Sequence, residues 1–236
     1  MELTHDPSRH VSGLIFFAVP QEAGPFRKAW IASGGKPWVR LGTLHCWISE
    51  GLKVCVTGMG QRNASRIAEE VLRESRPDWV VTAGFAGGLN PLCTLGEVGW
   101  DADTTFPSVA RWVKAGAKPM TFHESTGVAV TTEAKIQLRR QTACDAVEME
   151  SATIRALCRS RGIPSATVRV ISDTAQEDLP LDFGALMTPD DTLDFTKLAF
   201  TLMRSPVKIP QLIRFQGRVG RAAQSLAQVL VQATRA

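Results

Sequence analysis

Short apolar runs that alternate with helix-periodic segments over the first two thirds of the chain constrain its fold more than any other feature. That alternation predicts a layered α/β structure in place of an all-helical or all-β one. The runs predict strands over 12–19, 38–49, 52–57, 78–83, 96–101 and 165–171. Residues 11–19 have the apolar character of a signal-peptide core, but Glu2 and Asp6 precede them. Pro20, Gln21 and Glu22 follow where a small-residue cleavage site would stand, so the segment reads as a buried first strand. Asn63 is placed to cap a helix that carries Ile67, Val71 and Leu72 and ends near Pro77. A second helix, over about 148–160, is expected to turn Met149, Ala152, Leu157 and Cys158 inward and to stop at Gly162 and Pro164. Residues 102–127, rich in Gly, Pro, Ser and Thr, predict loops. Beyond Asp191 the pattern is helical again, over Leu193–Met203 and Gln211–Thr234 with a break at Ser205 and Pro206. The expected organisation is one domain over 12–190 and a basic helical extension over 191–236.

Of the 236 residues 44% are hydrophobic and 21% charged, enough to build a sizeable core and too apolar for a disordered chain. No apolar run approaches the roughly 20 residues of a membrane-spanning helix. Five cysteines without a CxxC pair cannot all pair within one chain, from which a reducing, cytoplasmic setting is inferred. The four histidines lack metal-ligand spacing, so no metal site is expected. Seven of the 27 basic residues, and no acid, lie from Phe195 onward, which makes the tail a cationic appendage. With the charge confined to one end and no zinc-finger or base-stacking signature, nucleic acid is not an expected partner.

Four segments carry chemistry. LKVCVTGMGQRNASRIAEEVL (52–72) imitates the start of a dinucleotide-binding unit, yet Asn63 stands at the third glycine position and no acid closes a second strand. TAGFAGGLNP (82–91) follows a strand, and its small residues let a ligand approach exposed N–H groups or simply make a turn. AVEMESATIRALC (146–158) brings Glu148 and Glu150 to a helix start, where carboxylates either cap the helix or, facing a pocket, accept hydrogen bonds from a vicinal diol. SATVRVISDTA (165–175) ends a strand in Ser172 and Asp173, where open α/β sheets gather functional residues and where Asx turns are also common.

Together with FAVPQEAGPF (17–26), the last three of these segments, in this order, resemble the purine nucleoside and uridine phosphorylase family, and within it the methylthioadenosine/S-adenosylhomocysteine nucleosidases. The resemblance spans about residues 12–185. It implies a single α/β domain around a mixed, twisted sheet flanked by helices, a homo-oligomer of two or more subunits, and cleavage of a nucleoside N-glycosidic bond, with adenine the expected base. Residue by residue it implies that Asp173 protonates the leaving purine at N7, that Glu150 grips the ribose hydroxyls, and that Glu22 activates water with the help of Arg169. Val19, Ala86, Gly87, Glu148, Met149, Ser172 and Phe183 complete the implied substrate-binding set. Such chemistry asks that Asp173 hold a proton through burial or a neighbouring like charge, while Glu150 stays ionised.

The resemblance implies no cofactor. Water is the favoured acceptor, because WVVTAG before the glycine-rich segment holds no arginine for phosphate. The long tail also resembles the hopanoid-associated branch, for which phosphate is the co-substrate and an adenosyl-lipid the substrate; Arg40, Arg62 or the glycine N–H groups are then the phosphate donors. A basic amphipathic tail of this kind either rests on anionic lipid or packs against protein.

Overall fold

In the computed structural model, residues 11–107, 109–182, 185–186, 188, 197 and 208–235 are described. Phe183 and the expected helix over Leu193–Met203 lie outside them, apart from Lys197. The chain starts in strand β1 (Gly13–Phe17), all five of whose residues are buried. Such a run requires cover on both faces of the sheet. Ile15 and Phe17 point to one core with Phe26, Trp30 and Leu230, whereas Leu14 and Phe16 point to another with Ile67, Val71 and Ile154. Helix α1 (Pro20–Ala32) covers the first face, and α2 (Gly60–Glu74) and α5 (Ser151–Ser160) cover the second.

The remaining elements are β2 (Val39–Leu41), β3 (Cys46–Ser49), β4 (Leu52–Val56), β5 (Trp79–Gly88), β6 (Val98–Ala102), α3 (Val109–Lys114), β7 (Lys118–Pro119), β8 (Phe122–Glu124), α4 (Thr132–Thr142), β9 (Ala146–Glu148), β10 (Ser165–Asp173) and α6 (Lys208–Arg235). One mixed sheet runs β2-β3-β4-β1-β5-β10-β6-β7, and β9 pairs with both β5 and β8 beside it. The central strands β4, β1, β5 and β10 are parallel. Their carboxyl ends therefore open on one side.

Several expectations change. The strand expected over 38–49 is a hairpin, β2 and β3, because Gly42 (φ 53°) turns the chain between them. Helix α1 begins just where Pro20 stands, since proline fits the first turn of a helix. Asn63 sits within the first turn of α2, its amide donating to Met59 O; Met59, not Asn63, is the N-cap. The strand expected to stop at residue 83 continues through the glycines to Gly88, held by β10 and β9 on either side. The expected loop over 102–127 contains α3, β7 and β8. Ala152 faces solvent, and the inward residues of α5 are Ser151, Ile154, Arg155 and Cys158.

Cys46 and Cys55 stand opposite each other on β3 and β4, 4.1 Å apart at Cα, and form a disulfide. The odd cysteine count gave no sign of this pair, which weakens the inference of a reducing setting. The tail, too, is more than an appendage. Ala222, Leu226, Leu230 and Val231 of α6 lie in the same core as Ile15 and Phe17, so the border drawn at residue 190 does not separate two bodies. No helix among the described residues is long and apolar enough to cross a membrane.

Candidate active site

At the carboxyl ends of the parallel strands, where open α/β sheets bind ligands, lies a cavity of about 270 Å³. The β1–α1 connection contributes Ala18 and Val19, β5 contributes Phe85, Ala86 and Gly87, and β10 contributes Ser172 and Asp173. The β9–α5 junction adds Glu148, Met149 and Glu150, and Glu22 comes from the first turn of α1. Glu150 and Asp173, 23 residues apart in the chain, thus face one space.

Glu22 is held by main-chain donors. Its Oε2 accepts from the N–H groups of Ala18 (2.9 Å) and Val19 (3.1 Å), and Oε1 accepts from Phe85 N–H (2.8 Å). Burial raises its proton affinity, against the pull of Arg169 and of those three N–H groups. Gly84 makes this packing possible, because a Cβ there would come within 2.5 Å of both Glu22 Oε1 and Arg169 Nη1. The strand register sets Gly84 directly beside Arg169.

Arg169 is 2% exposed and does not line the cavity. Its Nη2 donates to Glu148 Oε2 (2.5 Å) and Ser151 Oγ (2.8 Å) and lies 3.5 Å from Glu150 Oε2. One guanidinium therefore serves three buried carboxyls: burial opposes its charge, but Glu148, Glu150 and Glu22 outweigh that and raise its pKa. Arg169 acts on the site through these groups, as a positioning residue. Glu148 likewise spends its oxygens on protein, accepting from Glu150 N–H (3.0 Å) and Ser151 N–H (2.9 Å), which caps α5. The capping role that the sequence offered both glutamates belongs to Glu148.

Glu150 is left facing the cavity. Its Oε1 accepts from Gly60 N–H at 3.0 Å, so the Gly58–Gly60 turn, a false dinucleotide signature, supports this carboxyl. Burial pushes Glu150 up to about 7; Arg169 and the Gly60 N–H pull the other way, while Glu148 and Glu22 add to the rise. The expectation of a carboxyl fixed in its ionised form is thereby corrected: with three acids around one arginine, Glu150 is free to titrate near neutrality.

Asp173 is buried, but the neighbour is a cation instead of the like charge considered from sequence. Lys135 Nζ donates to Asp173 Oδ2 at 2.6 Å, and Ser172 Oγ donates to Oδ1 at 2.7 Å. Lys135 is fully buried on α4 and was not among the residues singled out from sequence. The same is true of Met59, Gly127, Val128, Ala129, Phe215 and Val219, all of which line the cavity. Buried lysines are rare and need a partner. Here the partner lies 38 residues away, so no local pattern signals it. Arg40 and Arg62 are exposed and line no part of the cavity, and among the described residues no arginine or lysine does.

Residues 118–201, from β7 through β10 and including Lys135, Glu150 and Asp173, match the model of the phosphorylase superfamily. A methylthioadenosine/S-adenosylhomocysteine nucleosidase of Shewanella loihica is 25% identical over 58% of this chain and 76% of its own length. One from Exiguobacterium is 26% identical over 56% and 71%. The match to the superfamily model covers about a third of the chain. The fold also matches solved structures at low identity. Helicobacter pylori futalosine hydrolase superposes with a TM-score of 0.66 at 17% identity over 95% of this chain and 98% of that one. The nucleosidase of the same organism, solved with butyl-thio-DADMe-Immucillin-A, gives 0.67 at 16% over 94% and 97%. Four carboxyls line the cavity: Glu22 from the first turn of α1, Glu148 and Glu150 at the β9–α5 junction, and Asp173 at the end of β10.

Proposed function

We propose that the cavity cleaves the N-glycosidic bond of a purine nucleoside, with adenine the base and water the acceptor. One observation carries this reading: carboxyls in different electrostatic settings, Glu22, Glu150 and Asp173 among them, converge on one cavity. Breaking the C1′–N9 bond builds positive charge on the sugar and negative charge on the base, so a proton donor must meet one and an anion the other. Asp173, braced by Lys135 and Ser172, suits the base; Glu150 suits the ribose hydroxyls and the developing cation. Glu22, whose raised proton affinity brings it toward the working range of a general base, takes the proton of the attacking water. Met149, Ala86, Gly87 and Val19 provide the apolar surface around the sugar and base.

Water is favoured over phosphate because an anion of that charge calls for basic side chains, and none of the described lining residues is basic. The similar proteins named above, nucleosidases and a hydrolase, point the same way. The test is incubation with methylthioadenosine, adenosine, inosine and a 5′-lipid-substituted adenosine, each with and without phosphate, followed by chromatography for free base. Base released without phosphate supports the reading; base released only with phosphate makes the enzyme a phosphorylase. No base from any of the four overturns it. At the start of α6, Ile209 and Ile213 are exposed beside Arg214, which suits contact with an anionic bilayer; equal partitioning of wild type and Ile213→Glu onto such liposomes would exclude that contact.

A further inference from the structure

Lys135 is the one buried residue of α4, a helix whose other side chains are exposed or half-exposed. Its Nζ donates to Asp173 Oδ2 (2.6 Å), Thr174 O (2.7 Å) and Glu177 O (2.7 Å). An ammonium has three protons, so every one is committed to the end of β10 and the loop behind it. Removing a charge from water costs several kcal/mol, and only such complete pairing offsets it. An apolar side chain would anchor α4 without that cost. On its other side Asp173 meets the main chain at Gly87, where a Cβ would come within 3.2 Å of Oδ2. The carboxyl is thus wedged between backbone and ammonium. Just ahead of α4, Gly127, Val128 and Ala129 line the cavity, so the same ion pair ties the acid to the wall that faces it.

Resting on the function proposed above, we propose that Lys135 is the positioning residue for departure of the base: it occupies Asp173 Oδ2, so that the transferable proton resides on Oδ1, and it stabilises the carboxylate that transfer leaves behind. Ser172 Oγ has two acceptors within reach, Asp173 Oδ1 at 2.7 Å and Ala86 O at 3.3 Å. Its hydroxyl donates to Oδ1 when that oxygen is bare and turns to Ala86 O when Oδ1 carries the proton. In the step itself the C1′–N9 electron pair moves onto the base, the Oδ1 proton moves to N7, and adenine leaves neutral. Water adds to C1′ and yields its proton to Glu22. Lys135 keeps all three of its protons throughout and touches no substrate atom.

Lys135→Met, Lys135→Arg, Asp173→Asn and the double variant Lys135→Met/Asp173→Asn test this with methylthioadenosine. Positioned acid catalysis is worth about 10²- to 10⁴-fold; Lys135→Met is expected to lower kcat by about 10²-fold with KM within about threefold, and Lys135→Arg to recover at least about tenfold. The double variant is expected to be no slower than Asp173→Asn alone, since Lys135 acts through that carboxyl. Losses that multiply in the double variant, or a loss confined to KM, would show that Lys135 merely holds the wall. An unchanged kcat in Lys135→Met would overturn the proposal with the function intact. Wild-type enzyme that releases no base from any nucleoside would sink both together.

Discussion

Neutralising Glu150 should change how stability depends on pH, and the size of the change follows from its surroundings. In the unfolded chain this carboxyl titrates at 4.5; in the folded protein burial pushes it up to about 7. Between those values the native state binds more protons than the unfolded one, so unfolding free energy falls as pH rises. The stabilisation is complete below the unfolded value and gone once pH passes about 7. At 1.36 kcal/mol for each pKa unit the full span is about 3 kcal/mol, or roughly 6–12 °C in Tm for a chain of this length. The acids whose pKa is lowered, such as Glu97, Asp103, Asp145 and Glu177, titrate below this window and leave it clear. Glu22 shifts the same way as Glu150 but is present in both proteins under comparison. Urea unfolding of wild type and Glu150→Gln at pH 5 and pH 8 is the assay. Wild type is expected to lose more stability across the interval than the variant, by about 2.5 kcal/mol, since pH 5 already lies above the unfolded value. Parallel losses would refute the reasoning, because they would mean that burial and the neighbouring acids do not hold a proton on Glu150.

Asp173→Asn should lower kcat by about 10²- to 10⁴-fold, equivalent to about 3–5 kcal/mol of barrier, with Tm near that of wild type; chromatography of released base measures it. Glu22→Gln keeps an acceptor for the Ala18, Val19 or Phe85 N–H groups but cannot take a proton, so kcat should fall by a similar factor in the presence of water alone. Gly84→Ala drives a methyl group to 2.5 Å from Glu22 Oε1 and Arg169 Nη1, both held by buried partners; a loss of about 1–3 kcal/mol, the ordinary cost of overpacking, is expected by thermal unfolding. A chain ended before residue 208 loses Leu226, Val229, Leu230 and Val231 from the core. At about 1.5–3 kcal/mol each that loss rivals a whole domain's stability, and circular dichroism should show no cooperative transition.

What could be read from the sequence was whatever has a local physical cause. Strand β1 shows itself because burial on both faces demands an unbroken apolar run, and β10 because SATVRVISD has the same character. The two acidic motifs stand at element ends, which is where the structure puts them, facing the cavity. The failures arise where residues carry opposing signals. The glycines of β5 look like a turn, yet they continue a strand whose neighbours are too close for side chains. The Gly58–Gly60 turn looks like a nucleotide loop, yet one of its N–H groups serves a glutamate 90 residues away. Lys135 is the extreme case: a charged residue in a polar helix reads as solvated, and only the folded chain brings it to Asp173. Phe215 and Val219 line the cavity although they stand in a segment that its arginines mark as a basic appendage.

Helix α6 performs two tasks at different heights. Its later turns are locked among Ile15, Phe17 and Trp30, while Phe215 and Val219, nearer its start, close the roof of the cavity. Gly217, between Phe215 and Val219, and Gly220, just after them, bear no side chain at all. An engineer who wished to retune which nucleosides enter could therefore redraw the opening turns freely, swapping bulk or polarity overhead, and leave the hydrophobic anchorage that folds the enzyme as it is.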